Sequence, residues 1–131
     1  MDQSVAEQLY TVLGDLATNV PDIKASAVVS VDGLTIASRL PAGVEEDRVG
    51  AVSAALLSLG ERSSQEMACG DLGLILLKSA SGYIVTMSVG ANAVLSIMSS
   101  ENAALGRVFL ELEYAAERLA QILVKKTHPS K

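Results

Sequence analysis

Few side chains in this sequence offer the residue types and spacing that catalysis needs. His128 is the only histidine and Cys69 the only cysteine, and His128 lies close to the chain end. A nucleophile needs a neighbouring base, and a zinc site needs several such ligands. Glu45, Glu46 and Asp47 form an acidic run, which is typical of a first helical turn because the helix dipole favours anions there. We therefore predict no catalytic site, no metal site and no cofactor, and we expect that the protein is not an enzyme.

A pair of glycines, Gly70 and Gly73, is the nearest approach to a phosphate-binding loop. The pair lacks the Lys-Ser/Thr of a P-loop and the third glycine of a dinucleotide fingerprint. A bend before a strand is therefore the better interpretation. The net charge of −5 and the aromatic content of 3% argue against a surface that binds phosphates or stacks bases. We expect no nucleotide site and no nucleic-acid partner.

The composition indicates one compact domain. Its 131 residues fit one domain, and 50% hydrophobic residues suffice for a core. Residues 79–100 carry no charge, but they are rich in Ser, Thr, Asn and Gly, so we expect no membrane insertion. The single cysteine and the absence of a leader-like N-terminal pattern favour the cytoplasm. We predict one domain over residues 1–131, with a core at about 4–124 and a frayed tail at 127–131.

Hydrophobic periodicity predicts eight elements. Ser4 and Glu7 have the spacing of a capping box, and Pro21 ends the first helix. Asp32 and Gly33 lie between two β-prone runs and predict a hairpin with a type I′ turn, which needs positive φ at both positions. The predicted elements are a helix at 4–20, strands at 26–31 and 34–40, a helix at 44–64, strands at 73–78, 83–89 and 93–99, and a helix at 102–125. This order predicts a layered α+β fold with a five-stranded antiparallel sheet.

The middle helix is apolar on more than one face. Its apolar positions are Val49, Val52, Leu56 and Leu59 in one stripe, widened by Ala51, Ala54, Ala55 and Leu57. A helix that is apolar on two faces must be covered on two sides, which favours a second subunit as one of the covers. The alternative is an alanine-rich helix that packs tightly on the sheet without a partner. Arg48 and Arg62 flank the uncharged stretch, either as the rim of an interface or as a solubilising pair.

Two segments carry a resemblance to a known family. Val31-Asp32-Gly33-Leu34 forms the predicted hairpin, and residues 102–108 and 111–119 read NAALGRV and ELEYAAERL. Together with the element order and the alanine-rich middle helix, these segments resemble the roadblock family, which is also known from a dynein light chain. The resemblance covers about residues 4–124 and is greatest to short bacterial members of the MglB type.

The resemblance implies a homodimer, in which edge strands of two copies join one sheet and the middle helices pack together. The implied dimer and partner interface comprises Arg48, Val49, Val52, Ala55, Leu56, Leu57, Leu59, Leu74 and Leu76. It also implies an MglA-type Ras-like small GTPase as partner, activated by repositioning of the GTPase's own catalytic groups rather than by an arginine finger. The alternative is a dimeric scaffold or adaptor in a polarity, motor or signalling complex. A small-molecule sensor has little support, because polar and aromatic pocket residues are scarce.

Overall fold

The computed structural model describes residues 3–127. Three helices and five strands occur in the predicted order: α1 Val5–Asn19, β1 Ile23–Ser30, β2 Thr35–Arg39, α2 Glu46–Glu66, β3 Ile75–Ser79, β4 Gly82–Val89, β5 Ala93–Ser100 and α3 Leu105–Thr127. All neighbouring strands are antiparallel, and the sheet has the order β2-β1-β5-β4-β3. The predicted α+β fold with a five-stranded antiparallel sheet is confirmed.

The capping box predicted at the start of α1 is confirmed. The backbone N–H of Glu7 donates to Ser4 Oγ at 3.1 Å, and the backbone N–H of Ser4 donates to Glu7 Oε1 at 3.0 Å. The backbone N–H of Ser4, together with its hydroxyl, favours the charged form of the Glu7 carboxyl and holds the pKa of that group below its usual value. The first helix therefore begins at a site that the local sequence specifies.

The main core lies between one face of the sheet and the helix pair α1 and α3. Its largest fully buried side chains are Leu9, Val12, Leu13, Val28, Val85, Leu95, Val108, Leu112 and Leu119. At the surface, Arg118 Nη1 contacts Asp15 Oδ2 at 3.0 Å, and Arg107 donates to the carbonyl of Asn19 at 3.0 Å. These contacts hold α3 antiparallel to α1. The helix pair thus covers the central part of this face of the sheet.

The opposite face carries α2 alone. The core beneath it is small and consists of Ala27, Val29, Leu57 and Val94, with Val49 and Leu72 packed at its edge. Thr86 and Ser96 share a buried hydrogen bond of 2.9 Å between their hydroxyls, which satisfies both polar groups. A single helix, about 10 Å wide, cannot cover a sheet of five strands. Part of this face therefore remains uncovered.

The hairpin between β1 and β2 is confirmed, but its predicted turn type is wrong. In the described part of the chain, Ala68 is the single non-glycine residue with positive φ, whereas Gly33 has φ of +92°. Asp32 therefore cannot occupy the first central position of a type I′ turn. The N–H of Gly33 donates to the carbonyl of Ser30 at 2.9 Å, and the strand register shifts between Val28 and Val29. A turn closed by a glycine bulge at Gly33 accounts for the hydrogen bond. The register shift is a separate bulge in β2, where Ile36 has no partner on β1.

Two helix boundaries also differ from the predictions. Helix α2 begins at Glu46 rather than 44, since Glu45 has an extended backbone, and it continues to Glu66. Helix α3 begins at Leu105, since residues 101–104 form a turn, and it includes Thr127. The predicted tail therefore does not begin at 127. Its remaining part, 128–131 with His128, lies outside the described residues.

Close contact with the hairpin fixes the start of α2. A Cβ atom added at Gly50 would lie 2.5 Å from the carbonyl oxygen of Gly33 and 2.6 Å from Thr35 Oγ1. We expect Gly50→Ala to lower the free energy of unfolding by about 1–3 kcal/mol, because backbone must move to admit the methyl group. Gly14→Ala, in the open middle of α1, is the matched control and should raise stability by about 0.5–1 kcal/mol. Urea unfolding measures both, and equal stabilities would contradict this contact.

Candidate functional site

The outer face of α2 is apolar and uncovered. Val52 and Leu59 are each 64% exposed, and Ala55 lies exposed between them. The three residues follow one another at spacings of three and four, so they form one stripe along the helix. Large exposed apolar side chains that form a continuous patch are typical of an interaction surface. The structure thus brings together three of the residues that the sequence assigned to an interface.

The remaining predicted residues of α2 lie at different depths. Val49 and Leu56 are half-buried on the flank of the stripe, and Arg48 is largely exposed near its start. Leu57, in contrast, is 4% exposed and packs under α2 against the sheet. The assignment of Leu57 to the interface is therefore corrected, because its position on the helix points it toward the sheet. It belongs to the protein's own core.

Strand β3 is one of the two edge strands of the sheet, and β2 is the other. β3 pairs with β4 on one side, and no strand in residues 3–127 pairs with its other side. Leu76 lies opposite buried Val85 and is 40% exposed, while Leu74, just before the strand, packs partly buried against the main core. An exposed edge with unpaired backbone groups is a template for another strand. β3 therefore offers backbone hydrogen bonds beside the apolar surface of α2.

Sequence reasoning missed three residues that extend this surface across the sheet. Leu77 pairs with Ile84, and Ile84 pairs with Met98, so the three side chains form one row on the face that carries α2. Leu77 and Met98 are exposed, and Ile84 is half-buried. Successive side chains of a strand point to opposite faces, so Leu77 and Leu76 lie on opposite faces of the sheet. The row becomes recognisable only when the position of α2 shows which face lies uncovered.

A groove of about 300 Å³ runs between this row and α2. Its walls are almost wholly apolar, and its lining includes Leu40, Val44, Val49, Val52, Ile84 and Met98. Arg48 is the one charged side chain among the lining residues. Its Nε lies 3.7 Å from Glu45 Oε1, and both side chains are largely exposed, so this ion pair contributes little to stability. The groove is suited to apolar contacts rather than to chemistry.

The described residues show little that would support catalysis. No group of three or more His, Cys, Asp or Glu in residues 3–127 is arranged to hold a metal ion. Cys69 is an exposed free thiol that lies 3.7 Å from the carbonyl oxygen of Met67. None of the described helices combines the length and hydropathy that crossing a membrane requires. Among the described residues, the candidate functional surface is therefore the apolar face of α2 together with the edge of β3.

Known proteins share this fold and its sequence pattern. The sequence model of the Roadblock/LC7 domain matches residues 10–99. An uncharacterised protein of Methanocaldococcus jannaschii is 32% identical over 97 residues, which cover 74% of this chain and 84% of that protein. MglB of Myxococcus xanthus superposes with a TM-score of 0.86 at 16% identity, over 100% of this chain and 98% of that one.

A second solved structure, an MglB with a tetrameric arrangement, superposes with a TM-score of 0.85 at 18% identity. It covers 95% of this chain and 94% of its own. These two structural likenesses show the shared fold. The resemblance found in the sequence is confirmed, and the chain belongs to the Roadblock/LC7 domain family.

Proposed function

We propose that this protein is a homodimeric regulator of a Ras-like small GTPase of the MglA type and acts in the cytoplasm. One observation carries the proposal: the exposed apolar face of α2 lies beside the open edge of β3. Together they provide side-chain burial and backbone hydrogen bonds at one place. The structural likeness to MglB proteins supports a regulatory role for such a surface.

The proposed dimer uses both the outer face of α2 and the unpaired edge of β3. A two-fold axis beside β3 places two β3 strands antiparallel, which joins the two sheets into one of ten strands. Helix α2 of each copy then lies on the same face of the joined sheet. Val52, Ala55, Leu56 and Leu59 contribute apolar area to the contact, with Arg48 and Val49 at its end and Leu74 and Leu76 near the joined edge.

Regulation in this proposal works through binding rather than through catalytic groups of this chain. The paired α2 helices contact the GTPase and fix the positions of its switch segments. GTP hydrolysis depends on the placement of a water-orienting residue and of charges around the γ-phosphate. A regulator that holds the GTPase's own groups in that arrangement accelerates hydrolysis without an arginine finger. The paired helices thus act as a rigid support for the GTPase.

Single-turnover GTP hydrolysis by the MglA-type GTPase of the same cell tests the proposal. We expect added protein to accelerate hydrolysis in a saturable manner, because the bound complex has a higher rate than the free GTPase. Binding is measured in parallel with the GDP form and with a non-hydrolysable GTP form. Leu59→Glu, which we expect to separate the dimer, is the control and should lose the acceleration.

The outcomes of this experiment separate regulator from adaptor. Absence of binding in both nucleotide states would overturn the proposed partner. Binding with an unchanged hydrolysis rate would instead identify a dimeric scaffold, which uses the same apolar surface to recruit the GTPase without activating it. The fold supports either role, so the rate decides between them.

A further inference from the structure

The other edge of the sheet also has unpaired backbone groups. Strand β2 pairs with β1 on one side, and no strand in the part of the chain that the structure describes pairs with its other side. Two copies joined through β3, as proposed above, would place a β2 strand at each end of the joined sheet. The β2 edge therefore stays open in the single chain and in the dimer, and it is separate from the edge of β3.

The hydrogen bonds of the β1–β2 hairpin determine which backbone groups point outward. The N–H of Ser30 donates to the carbonyl of Leu34 at 2.8 Å, so Ser30 directs its backbone groups at β2. In an antiparallel pair every second residue does so, which includes Ser26, the partner of Arg39. Arg39 is thus bonded to β1, and its neighbour Ser38 points its N–H and carbonyl toward the open edge.

Two cationic side chains lie beside the end of this edge. A hollow of about 420 Å³ is lined by residues of α1, β1 and β2, and its charged lining residues are Lys24 and Arg39, both exposed. Lys24 donates to the carbonyl of Pro21, but neither cation pairs with a carboxylate among residues 3–127. In a chain with a net charge of −5, this hollow is a local site of positive charge.

The two faces of the sheet differ in charge at neighbouring positions of β2. Arg39 lies on the face that carries α1, since a Cβ atom added at Gly14 would lie 3.7 Å from Arg39 Nη1. Ser38 lies on the other face, where its hydroxyl donates to Glu46 Oε1 of α2 at 3.0 Å. Successive side chains of an added strand also alternate between the two faces. A segment paired with β2 therefore places one side chain beside two cations and the next beside a carboxylate.

The length and shape of β2 favour a short segment over a second sheet. The strand has five residues, and Ile36 is a bulge without a partner on β1. Short, bulged edge strands hinder the pairing of whole sheets, because they offer few backbone groups in a regular row. The outward groups of Ser38 still suffice for two hydrogen bonds to one residue of an antiparallel segment. Such strand addition gives affinity through the backbone and specificity through side chains.

We propose that the β2 edge binds a short extended segment of a partner protein, antiparallel to β2, with an acidic residue opposite Arg39. The residue after it lies opposite Ser38 and exchanges both backbone hydrogen bonds with it. That residue is not acidic, because its side chain faces Glu46. The acidic side chain lies beside Arg39 and Lys24, where opposite charges attract. This site goes beyond the proposed regulation of a GTPase and does not depend on it.

A dye-labelled peptide with blocked ends and the sequence SVTEVTVS tests the charge preference. Fluorescence anisotropy should show saturable binding to the unchanged protein. The same peptide with lysine in place of glutamate should bind at least about tenfold more weakly, because the two cations repel it. We expect Arg39→Glu to reverse this preference. Arg62→Glu, at an exposed position of α2, changes the net charge equally and should leave the preference as it is. Absence of saturable binding, or an Arg39→Glu protein with the original preference, would overturn the proposal.

The backbone pairing is tested separately from the charge. Methylation of the backbone nitrogen of the residue after the glutamate removes the N–H directed at Ser38 and should abolish binding. Methylation of the glutamate's own backbone nitrogen, which points away from β2, is the matched control and should preserve binding. Equal binding by the two methylated peptides would contradict strand addition.

Hydrogen exchange shows which edge the peptide occupies. We expect the glutamate peptide to slow exchange of the Ser38 amide about tenfold or more, because that N–H gains a hydrogen bond. Slower exchange at Lys78 on the β3 edge, with no change at Ser38, would overturn the assignment to β2. A Ser38 amide that is already protected without peptide would show that a second copy or another part of the chain occupies this edge, and it would also overturn the proposal.

Discussion

Leu57→Glu is expected to unfold the protein, whereas Leu59→Glu is expected to keep the fold and separate the dimer. The two leucines are two residues apart on α2, but Leu57 is buried against the sheet and Leu59 is largely exposed. A glutamate at 57 removes apolar contacts with Val29 and Val94 and buries a charge without a partner. The expected loss of unfolding free energy is about 4 kcal/mol or more, a large share of the stability of a typical domain.

Leu59→Glu should change the stability of the single chain by only about 0.5 kcal/mol, as surface substitutions usually do. Two-fold symmetry, however, places two glutamates in the apolar contact between the α2 helices. Urea unfolding and sedimentation of both variants measure the two effects separately. An unfolded Leu59→Glu protein would show that the outer face of α2 supports the fold. A dimeric, folded one would remove that face from the interface.

The fold could be predicted from the sequence because local signals determine each element. The capping box at Ser4, the glycine of the β1–β2 hairpin and the apolar spacing of α3 each act within a few residues. The type I′ turn was wrong because Asp-Gly is compatible with more than one turn, and the choice depends on the register of β1 against β2. Local pattern thus predicts that a hairpin forms but not its geometry.

The candidate site could be predicted only in part. The apolar stripe of α2 was recognisable, yet its width left open which residues face the sheet, so Leu57 was grouped with Leu59. The row of Leu77, Ile84 and Met98 depends on pairing between strands and on where α2 lies, and neither is encoded in local spacing. Which part of the sheet is a candidate site depends on which part the helices leave uncovered.

The backbone of β3 offers a test of the dimer that is independent of side chains. A two-residue turn joins β3 to β4, and its flanking residues Ser79 and Gly82 are paired. In such a turn the flanking pair is hydrogen-bonded, and hydrogen-bonded pairs alternate along an antiparallel ladder. The N–H of Leu77 therefore points toward β4, whereas the N–H groups of Leu76 and Lys78 point toward the open edge.

Lys78→Pro is expected to weaken the dimer about a hundredfold while leaving the single chain folded. Proline removes the outward N–H and places its ring against the incoming strand, and symmetry doubles both effects. An edge position tolerates proline when the lost N–H does not belong to the existing ladder.

Leu77→Pro is the matched variant and should instead destabilise the fold, since it removes an N–H directed at β4. Lys78→Ala keeps the N–H and should remain dimeric, which separates loss of the hydrogen bond from loss of the charge. Sedimentation measures how tightly each of the three variants dimerises, and thermal unfolding measures whether it is folded. A Lys78→Pro protein that is as tightly dimeric as Lys78→Ala would show that the dimer contact does not involve β3.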